Sequence, residues 1–288
     1  MANRHAGRLG DVWKHLALAD LLAATRPARY AETHAGNATY PPASTPEHGY
    51  GIATFAQLAR SDGVLAASRY ATHLRALTGA ATWPPGSPAI AMAELGARST
   101  YLLCDVDPGS TADLARWAAA RGLAERVTTA TADGMRTVAA HVLDAPADPS
   151  TAFVHVDPYD PDAREPGGLS ALELTRALID AGAAVMYWYG FDEPGRRAWA
   201  LDALADGARP GLWCGDVMVT TPAGAVRADG HLGTATTPGT GAGIVCANVG
   251  DGALARCGRL GRALAGAYRG RPLPSGEPGA LDFTVVRS

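Results

Sequence analysis

The period of the apolar positions changes several times along the chain, and each change predicts an element. From Asp11 to Ala24, residues Val12, Trp13, Leu16, Leu18, Leu21 and Leu22 fall at helical spacing, predicting a helix with one apolar face that Pro27 ends. "ARYAETHAG" reads as a short strand entering a glycine-containing turn. Residues 40–88 open with "PPASTPEHG", carry helical stretches at Ile52–Leu58 and Leu65–Leu77, and close with "TWPPGSP". Proline clusters at both ends predict an inserted helical subdomain between two hinges.

Downstream the alternation is regular. A helix over Pro88–Gly96 leads to the strand "STYLLCDVD", one over Ser110–Arg121 to "RVTTATAD", and one over Gly134–Leu143 to "TAFVHVDP". A helix over Leu169–Ala181 then precedes "AAVMYWYGF", and another follows Pro194. Strands alternating with helices predict an α/β, Rossmann-like, doubly wound and mostly parallel sheet. The tail differs: "WCGDVMVTT" and "GIVCANV", a helix over Gly252–Tyr268 and "LDFTVVR" predict an antiparallel edge. The expected domains are 1–39 with 89–288 as the sheet domain and 40–88 as the insertion.

Composition changes this picture little. With 47% hydrophobic and 18% charged residues the chain can bury a sizeable core, and a net charge of −3 offers no global attraction to nucleic acid. Lys14 is the single lysine. Cys104, Cys214, Cys246 and Cys257 are scattered without metal spacing, so neither a metal site nor a disulfide framework is expected. The N-terminus lacks a signal-peptide apolar core, and the run near 181–191 is too short for a bilayer; a cytoplasmic protein is expected. Oligomeric state is not legible.

In doubly wound sheets ligands sit beyond the carboxyl ends of the strands. After the first predicted strand come Glu32, His34 and Gly36, a turn where glycine lets a ligand approach the backbone, though without GxGxxG. Asp105 follows the second strand and is better placed than Asp107 to accept from ribose hydroxyls; a helix-capping role fits equally well. Asp133 and Gly134 follow the third, where Asp133 either accepts from an adenine amino group, with Gly134 leaving room for the ring, or caps the next helix. Asp157, Pro158 and Tyr159 follow the fourth. Acids at three consecutive strand ends point to an adenosine-bearing cofactor across the sheet edge.

These segments resemble the RlmJ-type family of adenine-N6 methyltransferases, which modify 23S ribosomal RNA with S-adenosylmethionine. The resemblance lies in "HAGRLGDVWKH" (5–15), "THAGNATY" (33–40), "PPGSPAIA" (84–91), "CDVDP" (104–108), "TADGM" (131–135), "VDPY" (156–159) and "GAGIVCANV" (241–249). It implies S-adenosylmethionine as cofactor, contacts from His15, His34, Gly36, Ser87, Asp105, Asp133, Gly134 and Asp157, and catalysis at Asp157, Pro158 and Tyr159. As residue types alone, the two histidines read as core or capping residues and Ser87 as a turn or N-cap residue.

An exocyclic amine is a poor nucleophile because its lone pair delocalises into the ring. An acceptor such as Asp157 and a carbonyl near Pro158 can hold its N–H groups so that the lone pair faces the methyl carbon, and Asp157 can take the proton. A stacked aromatic fixes the plane, typically worth about 1–3 kcal/mol per base. The family pattern is Asp-Pro-Pro-aromatic; here Tyr159 replaces the second proline and Asp160 the aromatic. An added carboxylate suits a cationic acceptor better than a neutral adenine. The expectation is therefore N-methylation of a small-molecule amine, with Tyr159, Asp160 and Tyr189 as substrate contacts. The alternatives are 23S rRNA as acceptor and a catalytically silent cofactor- or RNA-binding module. A closed pocket lined by Tyr187, Trp188 and Tyr189 would favour the small acceptor and an Arg-rich face RNA; alternatively, the aromatics of "YWYGF" simply pack under helices.

Overall fold

A single sheet is built from β1 (Arg29–Glu32), β2 (Thr100–Asp105), β3 (Val127–Thr131), β4 (Ala152–Val156), β5 (Ala184–Phe191), β6 (Trp213–Thr220), β7 (Gly241–Ala247) and β8 (Ala280–Arg287), whose inner strands are buried and whose edge strands β3 and β8 are partly exposed. The computed structural model describes residues 6–41, 45–78, 84–160, 168–205, 211–226 and 235–288. The strand order is β3-β2-β1-β4-β5-β7-β6-β8. β1 to β5 are parallel, β7 is antiparallel to β5 and β6, and β8 is antiparallel to β6. The mostly parallel doubly wound sheet and its antiparallel edge are thus present as the sequence pattern predicts. The chain runs from β1 to β2 on one side and later returns to place β4 on the other, so a crevice opens at the ends of β1 and β4.

The helices are α1 (Leu9–Thr25), α2 (Pro46–His48), α3 (Thr54–Ser61), α4 (Gly63–Ala66), α5 (Arg69–Thr78), α6 (Ser87–Leu95), α7 (Pro108–Ala119), α8 (Gly134–Val142), α9 (Ala171–Asp180), α10 (Trp199–Leu204) and α11 (Asp251–Ala267). Two apolar clusters cover the two faces of the sheet. One joins α1, α6, α7 and α11 to Tyr30, Phe153 and Met186; the other joins α8, α9 and α10 to Ala31, Val154 and Tyr187. The pattern predicts one apolar face on α1, yet every residue from Val12 to Leu22 is buried. The reason is position: α1 lies between the sheet and α5, α6 and α11, so even its polar residues are enclosed.

The described part of the segment between β1 and α6 is helical, and its buried side chains join the core around α1. Tyr50, Phe55, Leu58, Leu65, Tyr70 and Leu74 belong to the same cluster as α1. Buried Asp20 of α1 accepts from the Arg69 backbone N–H at 3.0 Å and pairs with Arg256 of α11, and the Tyr268 hydroxyl donates to the Tyr50 and Gly51 carbonyls. Residues 42–44 and 82–83 of the two proline-rich hinges lie outside the described residues. No described helix is long and apolar enough to cross a membrane.

Candidate active site

The loop leaving β1 is laced to its neighbours by backbone and carboxylate bonds. Ala35 N–H donates to the Cys104 carbonyl at 2.8 Å, and Gly36 N–H to Asp105 Oδ2 at 2.8 Å, with Gly36 at φ +61°. The other Asp105 oxygen accepts from Asp107 N–H, also at 2.8 Å, while Asp107 caps α7. Asp105 therefore ties the β1 and β2 loops together and keeps lone pairs for a ligand hydroxyl. Asp133 Oδ1 caps α8, accepting from the Met135 and Arg136 N–H groups. A Cβ on Gly134 would stand 1.8 Å from the Thr33 carbonyl oxygen. Glycine is thus required for the contact between the loop after β1 and the start of α8.

Gly86 makes a similar approach: a Cβ there would lie 2.2 Å from the Asn37 carbonyl oxygen, and its N–H donates to Ala38. Ser87 is buried at the first position of α6, whose N-cap is Gly86; no side chain caps this helix. His34 is half-buried, with Nδ1 2.9 Å from Thr33 Oγ1, and burial lowers its pKa. His15 is enclosed against Tyr70, and burial first, then the Lys14 charge, pushes its pKa down to about 3. It is a neutral ring at physiological pH.

The centre of the site is a pair the sequence reading missed. Lys14 Nζ lies 2.8 Å from Asp157 Oδ2 and 2.9 Å from Asp11 Oδ1, with side-chain exposures of 9% for Lys14 and 13% for Asp157. Burial opposes both charges most strongly, yet the opposite partners outweigh it. The Lys14 pKa is raised, and Lys14 and His155 hold the Asp157 carboxyl below the usual range. Trp188 lies under the ammonium, 5.3 Å from ring centroid to Nζ. The signal was present: the single lysine sits inside an apolar helical run, next to His15. A second missed feature lies beneath Asp157, where Glu32 of β1 and His155 of β4 meet at 2.6 Å, both wholly buried.

The four strand-end residues of "DPYD" diverge. Asp157 and Pro158 stay in the crevice, whereas Tyr159 is 75% exposed and Asp160 is exposed. Tyr189 is corrected as a substrate contact. It is fully buried on the opposite face of the sheet, its hydroxyl donates to Asp216 Oδ1 at 2.5 Å, and its ring packs against Tyr187 and edge-on against Trp199. Period-two alternation puts Tyr187 and Tyr189 under α9 and α10 and turns Trp188 toward α1.

No family model matches the chain, and no curated protein matches it. Among solved structures, protein LPL1258 from Legionella pneumophila, of family DUF519, is 18% identical with a TM-score of 0.76, covering 99% of this chain and 98% of that one. At that identity the likeness shows a shared fold. The O-methyltransferase TomG from Streptomyces achromogenes, in complex with S-adenosylmethionine, is 13% identical with a TM-score of 0.39, covering 81% of this chain and 79% of that one. An S-adenosylmethionine-dependent methyltransferase from Agrobacterium tumefaciens is 13% identical with a TM-score of 0.38, covering 82% and 60%. Neither of these two weak likenesses bears on function.

Proposed function

We propose that the chain is an S-adenosylmethionine-dependent methyltransferase that acts on the amino nitrogen of a planar acceptor held by Asp157. The Lys14–Asp157 pair carries this reading: an ionised, half-buried carboxylate fixed at the switch point of a doubly wound sheet. Several residues fit the cofactor. Gly36 gives a close backbone approach, Asp105 offers lone pairs for ribose hydroxyls, and Trp188 and His15 wall the crevice floor with neutral surfaces. S-adenosylmethionine supplies an electrophilic methyl carbon on a sulfonium.

The residues of the chain do the rest. Asp157 accepts an acceptor N–H and aims the nitrogen lone pair; as charge develops on that nitrogen, the carboxylate stabilises it and then takes the proton. Lys14 fixes the carboxylate's orientation without blocking it, because each oxygen has a second lone pair. The Pro158 carbonyl is the candidate second acceptor. Tyr159 stands at the rim, where an exposed ring can stack on a flat acceptor.

The rim also ranks the acceptors. Tyr187 and Tyr189 are buried beneath helices on the opposite face of the sheet, which removes the lining that would favour an enclosed small amine. The Asp160 carboxylate is exposed and screened by solvent, so it does not demand a cationic acceptor. A base presented by a larger molecule, such as an adenine of 23S rRNA, suits the exposed Tyr159 ring. The departures at Tyr159 and Asp160 keep a small-molecule nitrogen as the second reading.

The test is incubation with methyl-labelled S-adenosylmethionine and either protein-free 23S rRNA or a metabolite extract. Label in adenine of the rRNA, weakened by salt and lost in Asp157→Asn, is expected. Label only in small molecules would replace the acceptor. Cofactor binding without label in either pool would leave a silent binding module.

A further inference from the structure

Directly below Asp157, on the α1-facing side of the sheet, lie two polar residues that the proposed reaction has not used. Glu32 and His155 are register partners on β1 and β4, with Glu32 Oε1 2.6 Å from His155 Nδ1 and both side chains at 0% exposure. The Tyr30 hydroxyl donates to the other Glu32 oxygen at 3.2 Å. Donor atoms of Glu32, His155 and Asp157 all lie within 4.8 Å of one another, and His155 Nε2 is buried without a partner. Two carboxylates this close and this enclosed repel each other unless one takes up a proton or positive charge separates them.

The groups facing the pair can be sorted by charge. His15 of α1 and Tyr30 of β1 are driven toward their neutral forms by burial, and burial also lowers the His34 pKa. The charges left are the carboxylates of Glu32, Asp157 and Asp11 against the single ammonium of Lys14. Lys14 is shared between Asp11 and Asp157 and makes no bond to Glu32. His155 is the group placed to offset the remainder, since it already bonds Glu32 and sits two residues before Asp157 on the same face of β4.

We propose that His155 is a positively charged positioning residue: gripped by Glu32 beneath Asp157, it provides the second counter-charge of the site and frees Lys14 to be shared with Asp11. Its importance for methyl transfer rests on Asp157 being the reactive carboxylate, as argued above; its charge does not. The interior Glu32–His155 bond holds the ring, and the ring acts on Asp157 through space rather than by touching the acceptor. His155 therefore tunes the reactive group without being catalytic itself.

The experiment titrates the Asp157 carboxyl by carbon NMR in full-length protein labelled at aspartate carboxyls, with Asp157→Asn assigning the signal. His155→Gln keeps a side chain that can bond Glu32 but removes the charge, and should raise the Asp157 midpoint by about one pH unit. Glu32→Gln should lower the midpoint, and the double variant should return it close to wild type. Shifts in the same direction for both single variants, or no shift in either, would overturn the proposal. Nitrogen NMR of the wild-type His155 ring needs no substitution: both ring nitrogens protonated at neutral pH supports the charge, and a neutral tautomer overturns it. These readouts need no turnover, so they stand whether or not methyl transfer is found. If it is found, the acid limb of its pH profile should follow the Asp157 midpoint in each variant.

Discussion

Asp157 and Asp216 are both held away from solvent, Asp157 just past the carboxyl end of parallel β4 and Asp216 midway along antiparallel β6, and they have opposite surroundings. Asp157 faces α1, where Lys14 and His155 outweigh the effect of burial and hold its pKa down. Asp216 faces the other side of the sheet, where burial wins and raises its pKa despite bonds from the Tyr189 hydroxyl, the Ala198 N–H and Cys214. Burial alone thus does not make a reactive carboxylate. A cation at 2.8 Å makes one acid a charged acceptor, whereas hydroxyl and amide donors make the other a structural pin between β5, β6 and the start of α10.

The largest break in this comparison comes from Lys14→Met. It leaves Asp157 enclosed without its ammonium, and stability should fall by about 3–5 kcal/mol in urea unfolding, with methyl transfer lost. Should the variant be as stable as wild type, the pair is not a buried ion pair in solution. Tyr189→Phe acts on the other acid: removing a donor to buried Asp216 should cost about 1.5–3 kcal/mol while cofactor affinity stays unchanged. Weakened cofactor binding in that variant would bring Tyr189 back to the crevice.

On the α1 face, acid acts through His15 and Asp157. His15 stays neutral in the fold down to about 3, whereas its ordinary value is 6.5, so below that value the unfolded chain takes up the proton. Stability associated with His15 is present above 6.5 and is lost as pH falls toward 3; the loss should reach about 2 kcal/mol near pH 5. The Asp157–Lys14 contribution has the same sign: it is present above the unfolded carboxyl pKa and lost as pH falls through the depressed folded value. His15→Gln should flatten only the upper part of this slope in pH-dependent unfolding. The smallest structural effect belongs to exposed Tyr159: Tyr159→Ala should leave stability within about 0.5 kcal/mol of wild type. Its acceptor affinity should still drop by about 1–3 kcal/mol if the ring stacks on a base.

Much of the sheet was legible, because each strand and helix carries its own period and the proline-rich breaks fall between elements. The parallel core and antiparallel edge follow from "STYLLCDVD" through "LDFTVVR" almost segment by segment. What the pattern does not reveal is which face each element covers. "YWYGF" shows alternation, but only the placement of α10 decides that Tyr189 is enclosed and that Trp188 meets Lys14. Sequence alone does not mark Lys14, because a lysine in a helix is normally solvated; burial from every side of α1 makes it an internal cation. The Glu32–His155 pair joins residues 123 positions apart, and the pairing of β1 with β4 is what brings them together.

The most direct test of the account compares Asp157→Asn with Asp216→Asn, measuring S-adenosylmethionine binding by calorimetry and single-turnover methyl transfer to the acceptor found for wild type. Asp157→Asn should bind the cofactor yet lose transfer by about 100-fold or more, while Asp216→Asn should transfer at close to the wild-type rate. Equal losses in the two variants, or full transfer by Asp157→Asn, would contradict the assignment of Asp157 as the carboxylate that holds the acceptor.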